Sequence, residues 1–370
     1  MCCLSALITV IIFTTPGFAG LTALQTIEKY AGQVTGRSIV QLKNGVSKAT
    51  VMQHLKPDMV THDWNVINGF AAHLDADTIG LLRASSDVES ISEDGIMHTM
   101  TTQTNAPWGL SHLNSNTRLV NQNTSALNFS YTYDRSAGTG VDIYSQFGGR
   151  ARWGATFGPY ANVDRNGHGT HCAGIAAGSQ FGVAKSANII TVKVLSDDGS
   201  GSIADIISGA NFALANARAS GRPSVVSMSI GGNASTVLDN AVASLTSNGV
   251  YVVVSAGNAN VDAINTSPAR APSAIAVGVS TIADTRASFS NFGSVVDVFA
   301  PGEILLATQN ISGTSMAAAQ VAGLVAYILG LNPNPISGGM IAFIKSTSLK
   351  SALTDIPTDT LNVLAHLPPT

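Results

Sequence analysis

Three polar residues in this chain stand where runs of glycine and alanine leave their side chains clear to react. His168 lies in NGHGTHCAGIAAG (166–178), flanked by Gly167 and Gly169, at the head of a small-residue segment able to pack tightly. Ser315 lies in ISGTSMAAAQVAGLVAYILGL (311–331), just ahead of a long apolar helix, and Asn258 ends the run VYVVVSAGN. A serine in that position commonly serves only as an N-cap. The same position also sets a hydroxyl nucleophile beside backbone N–H groups that can hold an oxyanion. An asparagine at a strand end is an ordinary turn residue, yet its amide can donate to a developing oxyanion, an interaction of about 3–4 kcal/mol in the barrier. An imidazole supplies the general base that such a hydroxyl needs.

Two other chemistries fit less well. His168 and His171 invite a zinc reading, but the helical HExxH spacing is absent and no carboxylate or cysteine set completes a site. The G-x-S-x-G elbow of α/β-hydrolases is also absent, because Ala317 stands where the second glycine would be.

The three residues need a scaffold that brings them together. From Gly140 onward, ANIITVKVL (187–195), SVVSMSI (224–230), VYVVVSA (250–256), AIAVGV (274–279) and VDVFA (296–300) are short, β-branched and almost continuously apolar. Such runs predict strands buried on both faces, hence a mostly parallel sheet covered by helices. A stripe through Ile203, Ile206, Ile207, Ala210, Leu214 and Ala217 predicts one covering helix, and Leu238, Ala241, Val242 and Leu245 predict another, stopped at Gly249. The expected class is α/β with a doubly wound sheet. Its ligand cleft would lie outside the carboxyl ends of the strands, where SIGG (229–232), SAGN (255–258) and APG (300–302) fall.

Ahead of this domain, residues 37–98 predict a small α+β unit. RSIVQL (37–42), NGFAAHL (68–74) and VESISED (88–94) read as strands, VSKATVMQHL (46–55) and ADTIGLLRAS (76–85) as helices, together a split βαβ sheet. The polar stretch HTMTTQTNAPWGL (98–110) reads as a linker or entry segment.

Composition narrows the function. Only 11% of the 370 residues are charged and the net charge is −3, which excludes a nucleic-acid partner on electrostatic grounds. After the N-terminus no apolar run is expected to span a membrane. The opening MCCLSALITVIIFTTPGFAG has an apolar stretch from Leu4 to Phe13, then small residues at Gly17 and Ala19, the shape of a secretory signal over 1–19, although no Lys or Arg precedes it. Its removal leaves Cys172 without Cys2 and Cys3, so no internal disulfide is expected. Sequons at Asn123, Asn128, Asn233, Asn265 and Asn310 are compatible with a secreted, extracellular surface.

TNAPWGL (104–110), NGHGTHCAG (166–174), SIGG, SAGN, SFSNFGS (288–294) and ISGTSMA (311–317) resemble the subtilase superfamily, in particular its fungal proteinase K-like branch, and 37–98 is similar to that family's inhibitory propeptide. The resemblance implies a serine endopeptidase acting on protein or peptide substrates, with a propeptide over 20–100 cut off near Met100–Thr101 and a peptidase domain over 101–370. It implies His168 as general base, Ser315 as nucleophile and Asn258 as oxyanion donor. It further implies Ser229, Ile230 and Gly231 with Ala256, Gly257 and Asn258 as the wall of the specificity pocket. Gly199, Ser200 and Gly201 would pair with substrate as an added strand. The carbonyls of Pro272 and Ala274 with Asp297 would form a structural calcium site.

One element of the family pattern is missing. The triad acid belongs in a V-I-D-T-G-like turn after the first core strand, but here GVDIY (140–144) runs straight into SQFGGRARWG (145–154). Asp142 falls inside the strand, before the lost position, and Asp164 reaches His168 only through loop rearrangement. Without a carboxylate the imidazole loses its orientation and its counter-charge. After the nucleophile, Ala319 and Gln320 replace the family's Pro and His. The alternative to an endopeptidase is a pseudoprotease that binds peptides in the same cleft.

Overall fold

The structure is a computed structural model that describes residues 24–29, 34–56, 58–65, 67–95, 100–145, 152–303, 305–306, 310–331 and 339–368. The expected signal segment lies outside the described residues. The chain divides into two compact units, Met1–Ile96 and Met97–Thr370.

In the first unit five strands pair in the order Ile27–Glu28, Val88–Gly95, Val34–Leu42, Gly69–Ala72, Val60–Trp64. The helices Lys48–Met52 and Ala76–Ala84 complete the expected split βαβ arrangement. Val40, Phe70, Leu82 and Ile91 form its buried core. Val60–Trp64 escapes the sequence reading because it is an edge strand whose central three residues, Thr61, His62 and Asp63, are all exposed, so no alternation marks it.

In the second unit nine described strands form one sheet. Their order is Leu349–Lys350, Val363–Leu364, Val298–Pro301, Ile275–Ser280, Tyr251–Ser255, Ser224–Met228, Asp142–Ser145, Asn188–Lys193, Arg152–Thr156. Every neighbouring pair is parallel except the first. The order reverses at Asp142–Ser145, which has Asn188–Lys193 on one side and Ser224–Met228 on the other, so the crevice belongs at the carboxyl ends near that strand.

Strand alternation sorts the core into two layers. Ile143, Val225, Val253 and Val277 pack with alanines of the helices His168–Ala177 and Thr314–Leu331. Tyr144, Val226, Val252 and Val254 pack with Ala210 and Ala213 of Ile203–Ser220 and with Val242 and Leu245 of Thr236–Ser247. The helix Thr314–Leu331 is long and apolar enough to cross a membrane, contrary to the expectation that no such run exists, but its apolar stretch is 83% buried inside the protein. It packs as the central helix of the core. The expected linker is also corrected: Met100–Ala106 is a strand, paired antiparallel with Phe129–Asp134, because its threonines suit a pleated surface.

Gly323 sets the distance between the two helices that carry His168 and Ser315. A Cβ there would lie 2.5 Å from the Ala176 carbonyl oxygen and 2.9 Å from Val183 Cβ. Gly323→Val is therefore expected to destabilise the protein by about 3 kcal/mol, the upper range of overpacking. A lowered urea midpoint at unchanged slope would show this; an unchanged midpoint would mean that the helices are not held so close.

Candidate active site

Asn258 leaves the carboxyl end of the strand Tyr251–Ser255 and meets the start of the helix Thr314–Leu331. Its Oδ1 accepts hydrogen bonds from Thr314 N–H and from Thr314 Oγ1, both at 2.8 Å. An N–H can only donate, so this end of the amide must be the oxygen and the NH2 is released to point elsewhere. The Thr314 hydroxyl in turn accepts from Gly257 N–H at 3.2 Å. Gly257 holds φ +108, and a Cβ on it would fall 2.4 Å from Asn291 Nδ2, so only glycine serves at this turn.

Ser315 is not the N-cap. The helix begins at Thr314, which places Ser315 in the first turn, 9% exposed, where the helix ladder provides no partner for its N–H. The Asn258 NH2 and the Ser315 N–H are thus two donors supplied at one helix end, whose dipole also favours negative charge. Ser229 links Ser315 to the next strand end: its Oγ donates to the Ser315 carbonyl at 3.0 Å, and Ser315 Oγ donates to the Ser229 carbonyl at 3.4 Å. Cys172, one helical turn beyond His168, reaches the Ser315 carbonyl at 3.8 Å. Burial pushes its thiol up to about 12, so it stays protonated and does not compete as a nucleophile.

His168 opens the helix His168–Ala177 and lines, with Cys172 and Ser229, a cavity of about 70 Å³. Burial, then the neighbouring His171, hold its ring below the ordinary imidazole range, and Asp164 offsets this only in part. No carboxylate hydrogen-bonds to the ring among the described residues. Asp164 is already committed: Oδ1 accepts from Gly167 N–H at 2.9 Å, and Oδ2 from the Thr170 N–H at 2.9 Å and hydroxyl at 2.8 Å. Burial would raise its pKa, but these bonds outweigh burial and keep it below the usual carboxylate range. It caps the histidine's helix. Asp142 is fully buried at the amino end of its strand, opposite Ser224, and is clamped by Arg222 at 2.7 and 3.0 Å. The segment 145–151 contains no acid.

A groove of about 750 Å³ joins His168 to the expected substrate residues Gly199, Ser200, Gly201, Ser229, Ile230 and Gly231. A turn closed by Ser196 N–H to the Ser200 carbonyl, at 2.8 Å, shapes its far wall. Ala256 and Gly257 do not line this groove; Ala256 is 0% exposed within the core, and both act through the Asn258 turn.

The calcium expectation at Pro272, Ala274 and Asp297 does not fit the donor set. Asp297 Oδ1 is ion-paired with Lys345 Nζ at 2.7 Å, and Oδ2 accepts from Ala276 N–H at 3.0 Å. Calcium takes about six to eight oxygen ligands, some of them waters, so the carbonyls of Pro272 and Ala274 would need the Asp297 carboxylate free to join them. Here the one carboxylate of the set is engaged on both oxygens, and no cluster of three His, Cys, Asp or Glu side chains exists among the described residues.

Sequence reasoning did not single out Asn291, which braces the oxyanion turn. It is 2% exposed; its Oδ1 accepts from Ala259 N–H at 3.0 Å and Val261 N–H at 3.1 Å, and its Nδ2 donates to the Ala256 carbonyl at 2.9 Å. Only the SNFG run (290–293) carried a signal. Asn291→Ala removes all three bonds and leaves the buried Ala256 carbonyl unpaired, and is expected to cost about 2 kcal/mol, read by urea unfolding; a loss under about 1 kcal/mol would contradict the bracing role. For His168, an NMR titration is expected to give a midpoint below 6.5. Protonation is then harder in the folded state, so this group's contribution to stability is complete above pH 6.5 and is lost as pH falls through that value toward the folded midpoint. A midpoint at or above 6.5 would contradict the uncompensated environment.

Comparison with known proteins agrees with this geometry. Residues 118–363 match the model of the Subtilase family, and 47–100 match that of Peptidase inhibitor I9. Proteinase R of Parengyodontium album is 42% identical over 364 residues, covering 92% of this chain and 91% of that protein. Alkaline serine protease ver112 of Corniculantispora psalliotae is 40% identical over 356 residues, covering 90% and 91%. A crystal structure of a cold adapted subtilisin-like serine proteinase superposes with a TM-score of 0.63 at 38% identity, covering 72% of this chain and 100% of that one. With a serine, a histidine and an asparagine carried on the matching doubly wound sheet, the chain belongs to the subtilase family of serine peptidases, with an I9-type propeptide at its amino end.

Proposed function

We propose that this chain is a secreted serine endopeptidase that forms an acyl-enzyme on Ser315, slowed by the lack of a carboxylate on His168. The observation that carries the reading is the pair of hydrogen bonds that Thr314 donates, from its N–H and its hydroxyl, to Asn258 Oδ1, which frees the Asn258 NH2 beside the Ser315 N–H. Ser315 Oγ attacks the scissile carbonyl and His168 takes its proton. The carbonyl oxygen, now negative, receives donors from Asn258 and Ser315 N–H. His168 then protonates the leaving amine, and water attacks the ester by the reverse sequence.

Loss of the triad acid from such a constellation lowers turnover by about four orders of magnitude, leaving the oxyanion donors and substrate binding to supply the rest. The lowered His168 pKa points the same way: burial and then His171 disfavour the imidazolium formed in the transition state, and Asp164 offsets this only in part. The amino-terminal unit acts as the intramolecular inhibitor, removed near Met100–Thr101, and the N-terminal apolar stretch directs export.

A second reading, a peptide-binding pseudoprotease, draws on one observation: Ser315 Oγ donates to the Ser229 carbonyl rather than to His168. Self-processing separates the two. Expressed alone, the full chain is expected to release slowly a product beginning near Thr101, and Ser315→Ala to abolish it. Inserting a V-I-D-T-G turn between Tyr144 and Ser145 is expected to accelerate processing by about 10⁴. Full-length product from both the original and the inserted chain would sink the endopeptidase reading.

A further inference from the structure

We propose that Lys345 supplies, as a tethered ammonium, the positive charge that structural calcium supplies in other subtilases, so that the Asp297 position of this chain needs no metal. Asp297 precedes the strand Val298–Pro301 and ties it to the neighbouring strand Ile275–Ser280. Its N–H donates to the Ala276 carbonyl at 2.9 Å, and its Oδ2 accepts from Ala276 N–H at 3.0 Å. That leaves Oδ1 to face a cation. The cation present is Lys345 Nζ at 2.7 Å, with the two side chains 30% and 16% exposed.

The ammonium is held there by its helix. Met340–Thr347 is anchored by Met340 at 3% and Ile344 at 1% exposure, and Lys345 stands in its last turn, where a positive charge is favoured. A calcium ion at Oδ1 would have to expel Lys345. The pairing is independent of whether the chain cleaves peptide bonds.

The test uses the full chain carrying Ser315→Ala, which prevents self-cleavage, titrated calorimetrically with calcium chloride. Adding Asp297→Asn is expected to leave its calcium isotherm unchanged. Adding Lys345→Ala is expected to create a calcium-binding event at least tenfold tighter than any Asp297-dependent binding in the parent, with a calcium-dependent rise in melting temperature. Combining it with Asp297→Asn should remove both. Lys345→Gln, neutral and of similar length, replaces Lys345→Ala if the shorter residue prevents folding. The proposal is overturned if Asp297→Asn abolishes a calcium event in the Lys345-containing chain, or if neither Lys345 variant gains one.

Discussion

The bond between the Asn258 carboxamide and the first residue of the helix Thr314–Leu331 is the contact on which the site depends. A helix buried along nearly its whole length cannot leave its first N–H groups to water. One of them is satisfied by an amide oxygen borrowed from the end of a strand. The same bond orients the amide, so satisfying the helix and aiming the Asn258 NH2 are a single act. Asn291 below it ties down the turn that follows the strand Tyr251–Ser255, and Ser229 beside it extends the network to the end of the strand Ser224–Met228. The helix cannot shift along its axis without unpairing buried groups, which is why Ser315 keeps its place although its own hydroxyl is loosely bonded.

The histidine half is built differently. Its helix is capped by Asp164 and packed against the nucleophile helix across Gly323, so the imidazole is positioned by backbone and packing alone. Among the described residues no carboxylate hydrogen-bonds to its ring, and Asp164 compensates its charge only in part. The carboxylates that the sequence places near it are both spent, one on capping a helix and one on neutralising Arg222 at the far end of the sheet. The result is a base that stays neutral readily and becomes cationic reluctantly, the reverse of what transfer of a proton from Ser315 requires.

The parallel sheet and both covering layers were legible in the sequence, because doubly buried strands leave strong local signals, and glycine-flanked polar residues singled out His168, Asn258 and Ser315 as candidates. Val60–Trp64 and Met100–Ala106 were not, since exposed edge strands and threonine-rich segments carry no apolar alternation. The role of Asn291 was hidden because its partners are backbone groups about 30 to 35 positions away in sequence. Lys345 was hidden for a similar reason: a lysine near a helix end reads as solvent-facing until the fold brings Asp297 to it.

The central claim is that Ser315 is a nucleophile served by His168 and an oxyanion site. Exposure of the chain to a serine-directed sulfonyl fluoride, followed by peptide mass spectrometry, tests it directly. Slow sulfonylation at Ser315, abolished by His168→Ala and by prior unfolding, is the predicted result. Ser315 left unmodified after prolonged exposure, or labelled equally in the folded chain and in its His168→Ala variant, would contradict it.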